Sequence, residues 1–276
     1  MDQNTRPLVA LVTGASAGIG LETVKLLLKE GIVVYAAARR IEKMKDLAAI
    51  GAHIIQMDIT REEARKAAVE QIGREKGGVD ILVNNAGFGT YGAMEDVDLE
   101  DARYQFEVNF FGLGHLTQLV LPYMRQKGKG RIINISSMGG KVYTPMGSWY
   151  YASKHALEGW SDTLRLEVKA FGIDVVVVQP GIIYTEFGEV SLKPMMERSA
   201  NTAYRSLALK MEKAMQRSYT PKGGSAPALI ARVIVQAALS KKPRTRYIAG
   251  KMARLSICSR RFLPDRWFDQ MVMMLS

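Results

Sequence analysis

Tyr150 and Lys154 stand four residues apart in the run Ser148-Trp149-Tyr150-Tyr151-Ala152-Ser153-Lys154-His155. On a helix, positions i and i+4 share a face, so a phenol and an ammonium at this spacing converge on one ligand. A phenol whose reference pKa is about 10 is a weak base at neutral pH, and a cation roughly 4–6 Å away lowers that value. Such a pair can donate or accept a proton near neutrality. Tyr-x-x-x-Lys alone is a weak signal, because most chance matches are solvated helix faces. What surrounds this one gives it weight.

A second run capable of chemistry is Thr13-Gly14-Ala15-Ser16-Ala17-Gly18-Ile19-Gly20, directly after the apolar stretch Leu8-Val9-Ala10-Leu11-Val12. Gly14, Gly18 and Gly20 sit where a strand turns into a helix. Missing side chains there let the backbone approach a pyrophosphate, whose charge a helix N-terminus favours. The spacing is Gly-x-x-x-Gly-x-Gly, unlike the Gly-x-Gly-x-x-Gly of the common dinucleotide fingerprint, and a plain strand-to-helix turn is the competing reading. A site that prefers NAD(H) places a carboxylate at the end of the next strand to hold the ribose 2′-hydroxyl. Here that position reads Ala36-Ala37-Ala38-Arg39-Arg40. A guanidinium holds a 2′-phosphate that a carboxylate would repel, so NADP(H) is expected over NAD(H).

These residues need a scaffold that brings them to one edge. Short β-branched runs at 8–13, 33–37, 53–57, 81–84, 131–136, 174–179 and 245–248 read as strands. Helical patterns at 19–29, 62–74, 99–123, 149–171 and 227–239 lie between them. Ile173-Asp174-Val175-Val176-Val177-Val178 is apolar on both faces, as parallel strands covered from both sides are. The alternation predicts an α/β fold, one doubly wound parallel sheet of about seven strands with helices on both faces. Ligands then bind at the carboxyl ends of the strands. Residues 186–220 carry no strand signal and read as a helical excursion over that edge.

The chain has 276 residues, 47% hydrophobic and 24% charged, with no repeat or linker, which fits a single soluble domain over 1–276. The polar start, residues 1–6, does not read as a secretory signal. No run approaches the roughly 20 apolar residues of a spanning helix. One cysteine, Cys258, excludes an intramolecular disulfide and fits a reducing, cytoplasmic setting. His53, His115 and His155 are scattered and form no metal cluster.

The charge is uneven. Residues 205–276 hold 15 Lys/Arg and 3 Asp/Glu, so the basic excess belongs to the C-terminal quarter. No recognition motif accompanies it, which argues against nucleic acid. Residues 251–276 mix Arg254, Arg260, Arg261 and Arg266 with Leu255, Ile257, Phe262, Leu263, Trp267, Phe268, Met271 and Met273. Two readings stay open: an amphipathic segment in peripheral contact with a membrane, and a basic outer face whose apolar side packs on the domain or a second subunit.

Asn84-Asn85-Ala86-Gly87, Ser136-Ser137, Tyr150 with Lys154, and Pro180-Gly181 each follow a strand in order. With the glycine turn they make the chain, from about residue 8 to 185, resemble the short-chain dehydrogenase/reductase family. The resemblance implies that Gly14, Ser16, Gly18, Ile19 and Gly20 line the pyrophosphate and that Arg39 meets the 2′-phosphate near Ser16. It implies that Asp58 and Ile59 flank the adenine, and that Asn85, Ala86 and Gly87 border the adenosine ribose and brace the sheet. Pro180, Gly181, Ile183 and Thr185 would hold the nicotinamide. The catalytic set maps to Asn109, Ser137, Tyr150 and Lys154. Ser137 suits the usual interval better than Ser136, and Tyr150 better than Tyr151, since only Tyr150 has a lysine at i+4. One departure is Ala17, where many NADP-using relatives carry a basic residue.

The family also implies the division of labour. Ser137 and Tyr150 would hydrogen-bond a carbonyl oxygen, Tyr150 would supply the proton, Lys154 would lower the phenol's pKa and hold the nicotinamide ribose, and Asn109 would position a water leading from Lys154 to solvent. A homodimer or homotetramer through the helices at 99–123 and 149–171 is implied too. For the substrate, Met195, Met196, Tyr204, Leu207, Leu209, Met211, Met215 and Tyr219 suit a bulky apolar alcohol or ketone, though a plain helical core face explains them as well. The arrangement looks like the branch with 17β-hydroxysteroid and retinol dehydrogenases and acyl-dihydroxyacetone-phosphate reductases. A reductase of small polar carbonyls and a non-enzymatic NADP(H) sensor are the alternatives.

Overall fold

The structure is a computed structural model and describes residues 6–275, so part of the 1–6 start and the last residue of the C-terminal segment lie outside the described residues. Its strands are β1 (Val9–Thr13), β2 (Val33–Ala38), β3 (His53–Gln56), β4 (Ile81–Asn84), β5 (Gly130–Ile135), β6 (Ile173–Pro180) and β7 (Arg246–Ala249). Its α-helices are α1 (Gly18–Lys29), α2 (Lys45–Ala49), α3 (Glu62–Lys76), α4 (Leu99–Phe106), α5 (Gly112–Gln126), α6 (Ser148–Val168), α7 (Phe187–Arg198), α8 (Arg205–Ser218), α9 (Pro227–Leu239), α10 (Ala253–Phe262) and α11 (Asp265–Leu275).

All seven strands form one parallel sheet in the order β3-β2-β1-β4-β5-β6-β7. The chain reverses its direction of travel between β1 and β4, and the crevice at their carboxyl ends is the switch point at which such sheets bind ligands. Both sheet faces are dry because alternate side chains of each strand point to opposite helical layers. Ala10 and Val12 of β1 pack with Val24 and Leu27 of α1 and Ile230 and Ile234 of α9. Val9 and Leu11 pack with Ile72 of α3, Leu116 and Val120 of α5 and Leu164 of α6. The doubly wound sheet expected from the β-branched runs is the one observed.

Two helical expectations need correction. The single helix expected over 99–123 is α4, then a π-helical turn at Glu107–Phe111, then α5, which runs on to Gln126. A π turn inserts one extra residue per turn and is found mostly at functional sites. Here it turns Asn109 inward, fully buried, onto the loop after β4. The helix expected over 149–171 starts at Ser148, and its last turn tightens to a 3-10 turn at Lys169–Phe171 that Gly172 ends in the left-handed region at φ 69°. Residues 186–220 hold α7 and α8 and no strand. Among the described residues no helix is long and apolar enough to cross a membrane.

Candidate active site at the carboxyl edge of the sheet

One cavity of about 460 Å³ runs along the carboxyl edge, from the turn after β1 to the segment after β6. Its lining includes Gly14, Ser16, Gly18, Ile19, Arg39, Asp58, Ile59, Asn85, Ala86, Gly87, Ser137, Tyr150, Lys154, Pro180, Gly181, Ile183 and Thr185. Thus nearly all the residues singled out from the sequence are brought together. Gly20 and Asn109 stand just behind the wall, both fully covered.

At the β1 end the glycines are dictated by close approach. Gly14 has φ 65°, and a Cβ there would come 2.9 Å from the Ala86 Cα and the Asn85 amide. Gly18 has φ 55°, and its missing Cβ would lie 3.1 Å from the Thr185 methyl, so the segment after β6 closes down on the start of α1. Asn85 ties these turns together, donating from Nδ2 to the Thr13 carbonyl at 2.9 Å and the Gly14 carbonyl at 3.3 Å. The Thr13 hydroxyl in turn accepts the Asn85 and Ala86 N–H groups, each at 3.0 Å. Asp58 accepts from the Thr60 N–H at 2.9 Å and its hydroxyl at 2.8 Å, a local turn that fixes the end of β3.

Arg40, rather than Arg39, hydrogen-bonds Ser16. Arg40 Nη2 donates to Ser16 Oγ at 3.4 Å and to Glu186 at 3.1 Å, while Arg39 Nη1 is turned to the Tyr104 hydroxyl at 2.7 Å. Both arginines line the cavity. Sequence order alone cannot rank two adjacent exposed arginines at a strand end, and the contact to Ser16 distinguishes them only in three dimensions.

At the other end Ser137, extended at φ −165°, follows β5 and caps a short 3-10 turn by accepting the Gly139 N–H at 3.0 Å. Its hydroxyl faces the Tyr150 phenol closely enough to favour the phenolate. Tyr150, on the first turn of α6, is 8% exposed, with the rings of Tyr91 and Phe187 each 5.6 Å away. Lys154 is 7% exposed and donates from Nζ to the Ile135 carbonyl at 3.0 Å. Asn109 accepts the Phe88 N–H at 3.0 Å and donates to the Phe88 carbonyl at 2.9 Å and Ser153 Oγ at 3.1 Å. Both protons of its amide are therefore engaged, so a water beside Lys154 would meet Asn109 as a hydrogen-bond acceptor. Gly87 lies between them: a Cβ there would come 3.1 Å from Asn109 Oδ1 and 3.6 Å from Lys154 Nζ.

Burial changes the expected proton balance. It pushes the Tyr150 phenol well above its ordinary value, against which the Ser137 hydroxyl acts. Burial also pulls the Lys154 ammonium down to about 8, opposed by the charge of Glu158. In the cofactor-free site, desolvation of both groups opposes the lowering of the phenol by its lysine that the sequence suggests. A raised phenol favours the neutral hydroxyl, the state a proton donor requires.

At the apolar end the residues of the excursion divide between the two readings left open for them. Tyr219 lines the cavity with Tyr91, Tyr151, Phe187, Val190 and Val142. Met195, Met211 and Met215 are the buried core of the α7–α8 excursion, and Leu209 is exposed. The Tyr151 and Thr144 hydroxyls, 2.8 Å apart, belong both to this cavity and to a neighbouring groove lined by Met94, Met146, Tyr204 and Leu207. The histidines serve elsewhere: His53 stacks on Tyr35, His115 accepts from Arg65 at 3.0 Å, and His155 meets the Tyr151 carbonyl at 2.8 Å.

A family model described as short chain dehydrogenase matches residues 8–194, the span that holds the glycine turn, the Ser137 turn and the Tyr150/Lys154 helix. The chain is a short-chain dehydrogenase/reductase. It is 37% identical over 265 residues to a 3-ketodihydrosphingosine reductase of Bacteroides thetaiotaomicron, covering 94% of each chain. It is 33% identical over 270 residues to an NADPH-dependent 3-dehydrocapnine reductase of Ornithobacterium rhinotracheale, covering 95% of this chain and 94% of the relative. A solved short-chain dehydrogenase from Streptomyces avermitilis superposes with a TM-score of 0.82 at 34% identity over 93% of each chain. The family acts on CH–OH and C=O groups with a nicotinamide cofactor, and the groove fits that group. Its close-packed glycine turn opens α1, whose first-turn N–H groups suit a pyrophosphate. The Ser16 and Arg40 side chains add donors beside it.

Proposed function

We propose that this reductase transfers a hydride between NADP(H) and a ketone or secondary alcohol on a bulky, apolar, lipid-like molecule, with Tyr150 as general acid/base. The observation that carries the reading is the Tyr150 phenol, kept neutral by burial and lining, with Ser137, one cavity that also holds Ser16 and Arg40. Bound NADPH supplies the hydride. Ser137 and Tyr150 donate to the carbonyl oxygen as negative charge develops on it, an electrostatic stabilisation strongest where water is excluded. Tyr150 then releases its proton to that oxygen, and the Lys154 ammonium stabilises the phenolate left behind. Asn109 keeps the loop after β4 clamped over Lys154 by its two bonds to Phe88. Gly14, Ser16, Gly18, Ile19 and Gly20 take the pyrophosphate, Arg40 with Arg39 the 2′-phosphate, Asp58 and Ile59 the adenine, Asn85, Ala86 and Gly87 the adenosine ribose, and Pro180, Gly181, Ile183 and Thr185 the nicotinamide.

The rings and aliphatic groups of Tyr91, Phe187, Val190, Val142 and Tyr219 support an apolar substrate, and the cavity continues toward the Met94/Leu207 groove. Two relatives named as reductases of 3-ketodihydrosphingosine and 3-dehydrocapnine favour this over a small polar carbonyl. A screen of NADPH oxidation over steroid, retinoid, acyl-phosphate and short-chain carbonyls tests it. Fastest turnover is expected with long or polycyclic ketones. Preference for short polar carbonyls, or no turnover with any carbonyl, would contradict the reading.

The outer surface of α10 and α11 supports an anionic lipid surface as partner. Leu255 and Phe262 stand out from α10, and Trp267, Met273 and Met274 from α11, with the exposed Arg254, Arg261 and Arg266 among them. Arg260 is committed inward, over the Tyr143 and Phe268 rings and paired with Asp265 at 2.8 Å. Phe268 and Val272 on the inner side pack on Val142 and Met138, which line the substrate cavity. Apolar side chains rimmed by arginine suit an interface with acidic headgroups, and this one abuts the wall through which a lipid-like ketone would enter.

A further inference from the structure

Glu158 lies four residues beyond Lys154 on the same face of α6 and has no part in the reaction above. Its side chain is 2% exposed, yet it is ligated from three other elements. Arg246 Nε of β7 donates to Oε2 at 3.0 Å, and Gln179 Nε2 of β6 donates to Oε1 at 3.0 Å. Lys141 Nζ, just past the Ser137 turn, lies 3.3 Å from Oε2. Gly140 of that turn is pressed against it, since a Cβ there would meet Glu158 Cγ at 2.8 Å and Ser136 Oγ at 2.7 Å. One carboxylate thus joins the turn that begins with Ser137, the end of β6 that leads to Pro180, and the edge strand β7 to the helix of Tyr150 and Lys154.

Burying a carboxylate is costly, and exchange for an apolar group is often neutral for stability, so its presence beside a buried ammonium asks for another reason. Lys154 itself touches a carbonyl, that of Ile135 at 3.0 Å, and a neutral acceptor does less for an ammonium than a carboxylate within one helical turn. The charged groups that face Glu158 are Lys154 on α6, Lys141 after the Ser137 turn, and Arg246 on β7. Arg246 is held in turn by Asp162 at 2.6 Å, and Asp162 by Arg165. β5 and β6 contribute the Ile135 carbonyl and Gln179, neither of which titrates.

We propose that Glu158 is a positioning residue of the proton-handling pair, keeping Lys154 in its ammonium form and fixing the Ser137 turn and the end of β6 against α6. The inference rests on the reading of Tyr150 and Lys154 given above, but its decisive measurement needs no turnover. In the full-length, cofactor-free protein the Lys154 side chain is titrated by NMR of lysine labelled at Cε. Glu158→Gln, which keeps the size and an acceptor but not the charge, is expected to lower the Lys154 midpoint by about one pH unit. Arg246→Gln, which strips a compensating cation from Glu158, is expected to raise it. The NADPH-dependent rate of Glu158→Gln should match the parent near pH 6 and fall about tenfold behind it by pH 8.5, with the deficit in kcat. A midpoint that stays put in both variants, with only a lower Tm, overturns the proposal and leaves the assignment of Tyr150 untouched. If Glu158→Gln does not fold, Arg246→Gln decides: a raised midpoint supports the proposal and an unchanged or lowered one refutes it.

Discussion

The Arg40 guanidinium lies 3.4 Å from the Ser16 hydroxyl, across the mouth of the glycine turn, whereas its neighbour Arg39 is drawn off to Tyr104. A phosphate between Arg40 and Ser16 would receive charge-assisted donors from both. Arg40→Ala should therefore weaken NADPH binding by about tenfold or more and leave NADH within about threefold, with Arg39→Ala the milder of the two. Fluorescence titration of both cofactors on both variants checks this. Equal losses for NADPH and NADH in Arg40→Ala would remove the 2′-phosphate role.

Lys154 makes stability depend on pH with a definite sign. Its ammonium is pulled from the ordinary 10.5 down to about 8 in the folded protein. Between those values the unfolded chain binds a proton that the native state does not, so this group's contribution to stability rises with pH across the window. Below pH 8 both states are charged and the burial penalty is complete. Lys154→Met should then stabilise the cofactor-free protein at pH 7 by roughly 2 kcal/mol, allowing for the lost bond to Ile135, and the gain should fade as the pH approaches 10.5. Urea denaturation of both proteins between pH 6 and 10 reads it out. A difference that does not change with pH would mean that Lys154 titrates normally.

Much of this was legible in the chain itself because the sheet is covered on both faces. Apolar runs such as 173–178 admit few other folds, and motifs that each follow such a run must meet at one edge. The glycines were legible for the same reason: Gly14 and Gly18 adopt positive φ against Ala86 and Thr185, a requirement visible as residue type. What was not legible depends on rotamers and burial. Nothing in Arg39-Arg40 says which guanidinium turns to Ser16. The π turn at Asn109 hides in an ordinary helical pattern, since one extra residue barely alters the periodicity. The eight apolar residues read as substrate wall divide between core and pocket according to helix rotation, which left Phe187, Val190, Tyr91 and Val142 unannounced. Burial of Tyr150 and Lys154, which opposes the expected effect on the phenol, is set by packing, and the ligation of Glu158 by β6, β7 and the Ser137 turn joins segments far apart in the chain.

The Phe187 ring packs beside both Tyr150 and Tyr91, at the start of α7. Phe187→Ala should raise KM for long apolar ketones about tenfold while changing KM for a short ketone little, because only the longer substrate loses the buried contact. Steady-state kinetics over a homologous ketone series tests it; a uniform change along the series would separate Phe187 from substrate selection.

Removing the whole C-terminal segment would confuse membrane contact with catalysis, since Phe268 and Val272 support the cavity wall through Val142. Changes confined to the outer surface avoid that. With Trp267→Ser and Phe262→Ser together, or Arg254, Arg261 and Arg266 all changed to Gln, co-flotation with vesicles rich in phosphatidylserine should fall at least about fivefold, with turnover of a soluble ketone retained. Parent protein that binds neither anionic nor neutral vesicles, or that buries these side chains in a dimer, would replace lipid by another partner.

The most direct test of the central claim is the turnover of Tyr150→Phe measured alongside its affinity for NADPH. The substitution removes one oxygen from a ring already packed by Tyr91 and Phe187, so the fold and the groove should be undisturbed. The account predicts NADPH binding within about threefold of the parent and a kcat lower by about a thousandfold or more, the combined loss of a proton donor and an oxyanion donor. Carbonyl reduction that continues near the parent rate would contradict it.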